Sequence, residues 1–217
     1  SITDKTGVAL DAITANSLKL QAGGDVTQNA AATVTGVTSV DAGTNAVALT
    51  QAGNDFGNLG VTGGSVSITD TNAVALDAVK ANSLTVKAGG DVSQVADKAL
   101  DVTGATSVDA GANTVTLANA NNDFGSVSVT ANDVSLFDSA GGVVLGAVVA
   151  TGNFNLSNTN GAITQTPESV LQIEGDIGLS STGDIELANL ENRFDGDFRL
   201  KGQDVTLGSD SLIRIVE

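Results

Sequence analysis

Apolar and polar residues alternate in short stretches along most of the chain. These stretches are bounded by clusters of Gly, Asn, Asp and Ser, such as Ala22–Asp25 and Ala52–Asp55. Alternation with a period of two sends successive side chains to opposite faces of a sheet, and small polar clusters are typical of turns. The pattern predicts many short β-strands joined by tight turns. Clear examples are Leu18–Leu20, Leu84–Val86, Val127–Val129, Phe154–Leu156, Leu171–Ile173, Ile185–Leu187, Phe198–Leu200 and Val205–Leu207.

Two segments rich in Ala and Leu, Val8–Ala15 and Ala73–Ala81, are the only ones with a helical composition. Their apolar residues begin with a period of two, and the corresponding segment of the third repeat, Val143–Val148, is interrupted by Gly146. Glycine in the middle of a helix costs about 1 kcal/mol relative to Ala. We therefore predict strands here as well, and an all-β chain.

The sequence repeats itself with a long period. Ser1–Gln28 recurs at Ser67–Gln94 with an offset of 66 residues, and the segments TSVDAG and NDFG recur with an offset of 68. A third, more diverged copy follows with offsets between 68 and 71. The chain therefore holds about three units of 66 to 71 residues, at approximately 1–66, 67–134 and 135–217.

A period of this length indicates a repeated supersecondary unit whose apolar face is covered by its neighbours. A propeller would carry a recurrent aromatic signature, which is missing, and a sandwich gives no reason for such a repeat. We predict a right-handed parallel β-helix, a solenoid that forms a single domain over residues 1–217. With coils of about 20 to 23 residues, one unit would be about three coils and the chain roughly nine or ten.

The composition matters mainly for what it excludes. The chain has no Cys, His, Trp, Tyr or Met, which removes thiolate and imidazole chemistry, the metal sites built on those groups, and disulfides. Its 25 acidic and 9 basic residues give a net charge of −16, which repels nucleic acid and anionic lipid. No apolar stretch approaches the ~20 residues that span a bilayer. We expect no enzyme activity, no cofactor, no metal site, no nucleic-acid partner and no membrane insertion.

A motif of Asn and Phe separated by one residue returns once in every unit. Asn adopts turn geometry readily and Phe brings a large apolar area to a small core, so a structural role is favoured over a ligand site. We interpret these residues as a repeated structural ladder, in which each Asn satisfies the backbone of a turn and each Phe fills a corner. They are Asn54 and Phe56, Asn122 and Phe124, and Asn192 and Phe194.

The segments Gly23–Asp25 and Gly89–Asp91 resemble glycine- and aspartate-rich calcium repeats. Those repeats need a nonapeptide in tandem, whereas here the Gly-Gly-Asp motif occurs once per 66 residues. We therefore favour turns over calcium sites at both positions.

Carboxylates at strand spacing occur in the third unit, as Asp184 with Glu186 and as Asp195 with Asp197. Such pairs are candidates for a glycosidase-like acid and base. No sugar-binding aromatic stands near them in the sequence, so a solvated acidic face is the favoured interpretation. Basic residues of the same unit are predicted to form surface ion pairs of small individual value. They are Arg193, Arg199, Lys201 and Arg214.

The motifs of the first two units resemble a known family. NDFG followed by a GxVxVT strand, then VSITD, VALDAV, NSLTVKAGGDVSQ and SVDAGxNxVTL, is similar to the repeats of filamentous-haemagglutinin-like exoproteins. These are large adhesins of two-partner secretion and related autotransported β-helical surface proteins of Gram-negative bacteria. The resemblance covers nearly the whole chain and is weaker from Ser135 onward, where NDFG has become Asn192–Asp195.

The resemblance implies a β-helical shaft that an outer-membrane secretion partner exports to the cell surface, where it works in adhesion, aggregation or biofilm matrix. It also implies contacts with polysaccharide, host or bacterial surfaces through other regions of the parent chain, and lateral association of shafts. Because the chain does not begin with Met, we expect it to be an internal piece of a longer protein. The alternative is a β-helix that binds or acts on polysaccharide through an acidic face of the third unit.

Overall fold

In a computed structural model that describes residues 1–217, the chain forms 24 β-strands and no helix. The strands pair in parallel and belong to one continuous sheet, which winds into about 11 turns. The predicted all-β parallel solenoid is confirmed. No segment forms a helix with the length and apolarity required to cross a membrane.

Most strands are short because a polar turn follows each alternating stretch. In chain order they are β1 (Ile2–Asp4), β2 (Val8–Leu10), β3 (Ile13–Ala15), β4 (Leu18–Ala22), β5 (Val26–Gln28), β6 (Ala32–Asp41), β7 (Val47–Leu49), β8 (Asp55–Asp70), β9 (Val74–Ala88), β10 (Val92–Gln94), β11 (Leu100–Asp109), β12 (Val115–Leu117), β13 (Asp123–Ala131), β14 (Val134–Asp138), β15 (Val143–Ala150), β16 (Phe154–Asn158), β17 (Ile163–Gln165), β18 (Leu171–Ile173), β19 (Ile177–Ser181), β20 (Ile185–Leu187), β21 (Arg193–Phe194), β22 (Asp197–Lys201), β23 (Val205–Leu207) and β24 (Arg214–Ile215).

The pairings divide the solenoid into three faces. Face A carries β1, β4, β17, β20 and β23, and face B carries β2, β5, β7, β18 and β21. Face C carries β3, β10, β12, β14, β16, β19, β22 and β24. The longer strands continue around corners, with β6 running from face C to A, β8 and β9 from C through A to B, and β11, β13 and β15 from A to B.

The interior is a column of stacked aliphatic side chains. Register partners on neighbouring turns place like residues one above another, as in Val26, Val47, Val66 and Leu84 on face B. One core of 51 buried hydrophobic residues runs through the chain. Burying an aliphatic side chain of this size contributes about 1.5 to 3 kcal/mol. Since a single turn leaves its apolar edges open, each turn depends on its neighbours for stability.

The two segments with a helical composition are strands, as predicted. The first contains β2 and β3, and the second forms the beginning of β9. In β9 the side chains of Val74, Leu76 and Val79 are buried in the shared core. Burial on one side of an extended strand decides the conformation here, because it outweighs the weak helical preference of Ala and Leu.

Equivalent residues of successive units do not stack on one another. Ile2 lies on face A, its counterpart Ile68 on face B, and Leu136 on face C. Each unit therefore advances by three full turns plus one face. The expectation of about three coils per unit is close to this, but the expected total of nine or ten is too low, because turns are as short as 17 residues, the separation between the register partners Leu59 and Leu76. At ~4.8 Å between strands, the solenoid is about 50 Å long.

Candidate functional site

The three repeats of the Asn and Phe motif share one local structure, in which a buried Asn at a corner is followed by a buried Phe. The motif moves to the next face in each unit, because the whole sequence repeat rotates by one face. In space the six residues therefore do not stack into one ladder, which corrects the interpretation drawn from the sequence. The chain enters face C at Asn54 and Phe56, face A at Asn122 and Phe124, and face B at Asn192 and Phe194.

The side chain of Asn54 uses both its oxygen and its nitrogen in hydrogen bonds. Its Oδ1 accepts from Nε2 of Gln28 and from the backbone N–H of Ala32, each at 2.9 Å. Its Nδ2 donates to Oε1 of Gln28 at 2.9 Å and to the backbone carbonyl of Leu49 at 3.1 Å. Gln28 and Asn54 thus form a reciprocal amide pair that joins one turn to the next.

The same amide pair recurs in the other two units. Nε2 of Gln94 donates to Oδ1 of Asn122 at 2.6 Å, and Nδ2 of Asn122 donates back at 3.1 Å. For Gln165 and Asn192 the two distances are 2.7 and 2.9 Å. We call the three Gln and Asn pairs the amide clamps. A buried polar group that loses its partner costs about 1 to 3 kcal/mol, so each clamp resists separation of its two turns.

The Phe of each motif is held by a second buried contact that sequence reasoning missed. The backbone N–H of Phe56 donates to Oδ2 of Asp70, and that of Phe124 donates to Oδ1 of Asp138, each at 2.8 Å. In the third unit the hydroxyl of Ser211 accepts the corresponding N–H at 2.9 Å. Asp70 and Asp138 are separated by 68 residues, the offset of the NDFG segments. The repeat alignment was therefore the signal that could have identified them.

The carboxyl of Asp138 is buried in the core. Burial raises its pKa to about 6, although the N–H of Phe124 acts in the opposite direction, and Asp123 adds a small further increase. Its Oδ2 is buried without a hydrogen-bond partner. Burial also raises the pKa of Asp70, whose second oxygen accepts the N–H of Asn72 at 3.0 Å.

The Gly-Gly-Asp segments connect neighbouring turns. Oδ1 of Asp25 accepts the backbone N–H of Ala46, and Oδ1 of Asp91 accepts that of Thr114, each at 2.9 Å. Only glycine fits before the first Asp, because a Cβ on Gly24 would lie 2.7 Å from a backbone nitrogen of the preceding turn. No three acidic side chains converge in a group that could hold a metal ion. The observed chemistry of both segments is backbone hydrogen bonding.

The four carboxylates of the predicted acidic face lie in two separate places. Asp184 and Glu186 are at β20 on face A, whereas Asp195 and Asp197 are at the corner between faces B and C. Oδ1 of Asp184 accepts the backbone N–H of Asp204 at 3.1 Å, the same contact that the Gly-Gly-Asp segments make. The structure therefore does not bring the two pairs together on one face.

The surface ion pairs predicted for the third unit are present for its arginines. Exposed pairs of this kind contribute under about 1 kcal/mol each. Lys201 forms no ion pair within 4.0 Å. The carboxylate of Asp195 raises the pKa of the Arg193 guanidinium. The pairs are Arg193 with Asp195 at 3.0 Å, Arg199 with Asp176 at 3.2 Å, and Arg214 with Asp197 at 2.9 Å.

A shallow groove of about 460 Å³ crosses face C in the third unit. It lies over β14, β16, β19 and β22, and two columns of outward-facing residues run along it. None of the residues that line it is acidic. Sequence reasoning did not group these residues because they belong to four strands and meet only through the register of the turns. The columns are Ser135, Asn155, Gly178 and Arg199, and beside them Phe137, Ser157, Ser180 and Lys201.

Comparison with protein families identifies the family of the chain. The family described as "Repeats of unknown function (DUF5649)" matches it three times, at residues 1–62, 63–131 and 131–201. The chain belongs to this family. The three matches correspond to the three units found in the sequence: the second and third begin four residues earlier than the units do, and the third ends at residue 201. No curated protein and no solved structure matches the chain.

Proposed function

We propose that this member of the DUF5649 repeat family is a shaft segment of a secreted bacterial adhesin. In this role it holds a distal adhesive region away from the cell or contributes to contacts between cells and to biofilm matrix. The observation that carries the proposal is the succession of amide clamps, because each joins two turns and successive clamps lie on different faces. A solenoid whose turns are joined by hydrogen bonds on all three faces resists bending in every direction.

The assignment to an adhesin rests on the resemblance of the repeats to filamentous-haemagglutinin-like exoproteins. Export through an outer-membrane secretion partner and display on the outer surface of a Gram-negative cell follow from that resemblance. The absence of Cys from the chain is compatible with export in an unfolded state. Polysaccharide, host surfaces or other bacteria are the proposed partners, reached through other regions of the parent chain, and shafts are proposed to associate laterally.

The alternative drawn from the sequence was polysaccharide binding or cleavage through an acidic face of the third unit. Three of its four carboxylates already accept hydrogen bonds or pair with arginine, and the four do not share a face. The shaft proposal is therefore preferred. The groove on face C offers a different surface, which no acidic residue lines.

Two measurements test the shaft proposal. Antibodies raised against the purified chain should label the outer surface of intact cells of the source bacterium in immunogold electron microscopy, at a uniform distance from the membrane. Small-angle scattering of the purified chain should show a rod about 50 Å long that keeps its length from low to high salt. Labelling confined to the cell interior, or a flexible chain in scattering, would contradict the proposal.

A further inference from the structure

We propose that the groove on face C of the third unit binds an anionic saccharide chain, with Phe137 as an apolar platform and Arg199 and Lys201 as the groups that recognise its charge. The proposal goes beyond the shaft function and does not depend on it. It rests on three features of the groove, which are its charge, its outward-facing aromatic ring, and the alignment of its polar groups.

The charge of the groove is the reverse of the charge of the molecule. The chain has 25 acidic and 9 basic residues, yet the groove is lined by two basic residues and no acidic one. Arg199 is held by Asp176 at 3.2 Å, whereas Lys201 has no ion-pair partner within 4.0 Å and is exposed. Because Asp176 offsets part of the charge of Arg199, the unpaired ammonium of Lys201 supplies most of the free positive charge in the groove.

The aromatic ring is a departure from the repeat. Five of the six Phe side chains are in the buried core, and Phe137 alone points outward, beside the groove. The other units have Thr3 and Thr69 at this position. The ring of Phe137 is half-buried and faces away from the core, so it provides a flat apolar surface of the kind that packs against the C–H face of a sugar ring. The replacement occurs in the unit that has the groove.

The polar groups follow the axis of the solenoid at regular intervals. Phe137, Ser157, Ser180 and Lys201 are successive register partners, so they span three interstrand steps, about 14 Å. The amide of Asn155 and the guanidinium of Arg199 lie in the adjacent column, on either side of Gly178. An extended saccharide that runs along the axis would meet the ring at one end, hydroxyl and amide groups in the middle, and two cations at the other end.

A saccharide fits these groups better than other polyanions. Hydroxyl and amide side chains form hydrogen bonds with sugar hydroxyls, and the arginine fork and the lysine ammonium bind a carboxylate or sulfate. To bind a nucleic acid, the protein would need a larger cluster of Lys and Arg side chains to offset its overall charge of −16. The groove therefore combines the contacts required for a sugar ring with the contacts required for its acidic substituent.

Calorimetric titration of the whole chain tests the proposal, with hexagalacturonate and a heparin hexasaccharide as anionic probes and maltohexaose as the neutral probe. We expect saturable binding of at least one anionic probe with one site per chain, and weaker or no binding of maltohexaose. Lys201→Gln should weaken that binding about tenfold, the equivalent of one charge-assisted hydrogen bond. Phe137→Thr, which restores the residue of the other units, should weaken it as well.

The matched control is Lys19→Gln, which removes the charge of another exposed lysine without an ion pair, on face A. Its affinity should equal that of the unchanged chain, and the melting temperature of each variant verifies that it is folded. The proposal is overturned if neither anionic probe binds, if Lys19→Gln weakens binding as much as Lys201→Gln does, or if a single-stranded oligonucleotide binds as tightly as the saccharides.

Discussion

The amide groups of Gln94 and Asn122 donate hydrogen bonds to each other across two neighbouring turns, at 2.6 and 3.1 Å. Oδ1 of Asn122 also accepts the N–H of Leu100 at 3.0 Å, and its Nδ2 donates to the carbonyl of Leu117 at 3.0 Å. One fully buried side chain thus connects a glutamine and two backbone segments. This concentration of contacts makes Asn122 the polar residue on which the stability of its region most depends.

We expect Asn122→Ala to lower the free energy of unfolding by about 2 to 4 kcal/mol, because it leaves several buried polar groups unpaired. Gln94→Ala should cost less, and the double variant should cost less than the sum of the two, since both remove the same pair. Urea unfolding monitored by circular dichroism provides the measurement. Asn155→Ala, at an exposed position, is the control and should change little. Strict additivity of the two substitutions would contradict the clamp.

Asp138→Asn should alter the pH dependence of stability. Burial raises the pKa of Asp138 in the folded protein to about 6 from an ordinary value of 3.8. The folded state therefore binds this proton more tightly than the unfolded state does. The stabilisation that protonation of Asp138 gives to the folded state is complete below pH 3.8 and is lost as the pH rises to about 6. The amide keeps an oxygen for the N–H of Phe124 and carries no charge.

The melting temperature of Asp138→Asn relative to the unchanged chain should consequently be highest near pH 7.5 and should fall as the pH is lowered to about 4. Asp70 remains in both proteins, and its raised pKa contributes equally to both. A difference that stays constant between these pH values would show that Asp138 does not titrate in this range.

Thr106→Val should stabilise the protein. The hydroxyl of Thr106 is buried without a hydrogen-bond partner, as is that of its counterpart Thr38, and the third unit has Ile177 at this position. Replacing the hydroxyl with a methyl group of similar size removes an unsatisfied polar atom. We expect this change to raise the free energy of unfolding by about 1 kcal/mol. For a chain of this size the melting temperature would rise by about 2 to 4 °C. Thr130→Val, at an exposed position, is the control, and a lower melting temperature for Thr106→Val would refute the argument.

Val86 and Lys87 are neighbours in β9 that face opposite sides of the sheet. Val86 is buried between its register partners Ile68 and Val108. Val86→Asp should destabilise the fold by at least ~3 kcal/mol, because it buries an unpaired carboxylate. Lys87→Glu loses only an exposed pair with Asp109 at 4.0 Å and should cost under ~1 kcal/mol. Thermal unfolding of both variants measures the difference, and equal shifts would refute the core assignment.

Much of the fold could be predicted from the sequence. Alternating triplets such as Leu84–Val86 identify strands, and the recurrence of Ser1–Gln28 at Ser67–Gln94 identifies a solenoid, because both signals are local or depend on self-similarity. The rotation of the repeat by one face could not be predicted. It depends on the exact length of every turn, and turn lengths change wherever residues are added or removed at a corner.

The candidate site was predictable only in part, for the same reason. Asn122 and Phe124 stand out because they recur, whereas Asp138 looks like an ordinary acidic turn residue until the fold places it beneath the N–H of Phe124. Phe137 and Lys201 are far apart in the sequence, and they line the same groove only because of the register of four strands.

Pairs of engineered cysteines can measure the stacking of the turns directly, since the chain has no Cys of its own. Thr85 and Ser107 are outward register partners on adjacent turns, and Ser128 is the partner of Ser107 one turn further on. Thr85→Cys with Ser107→Cys should form an intramolecular disulfide under mild oxidation, because partner Cα atoms lie about 5 Å apart. Thr85→Cys with Ser128→Cys, at about 10 Å, should not. Cross-linking of the second pair but not the first would contradict the parallel solenoid and its register.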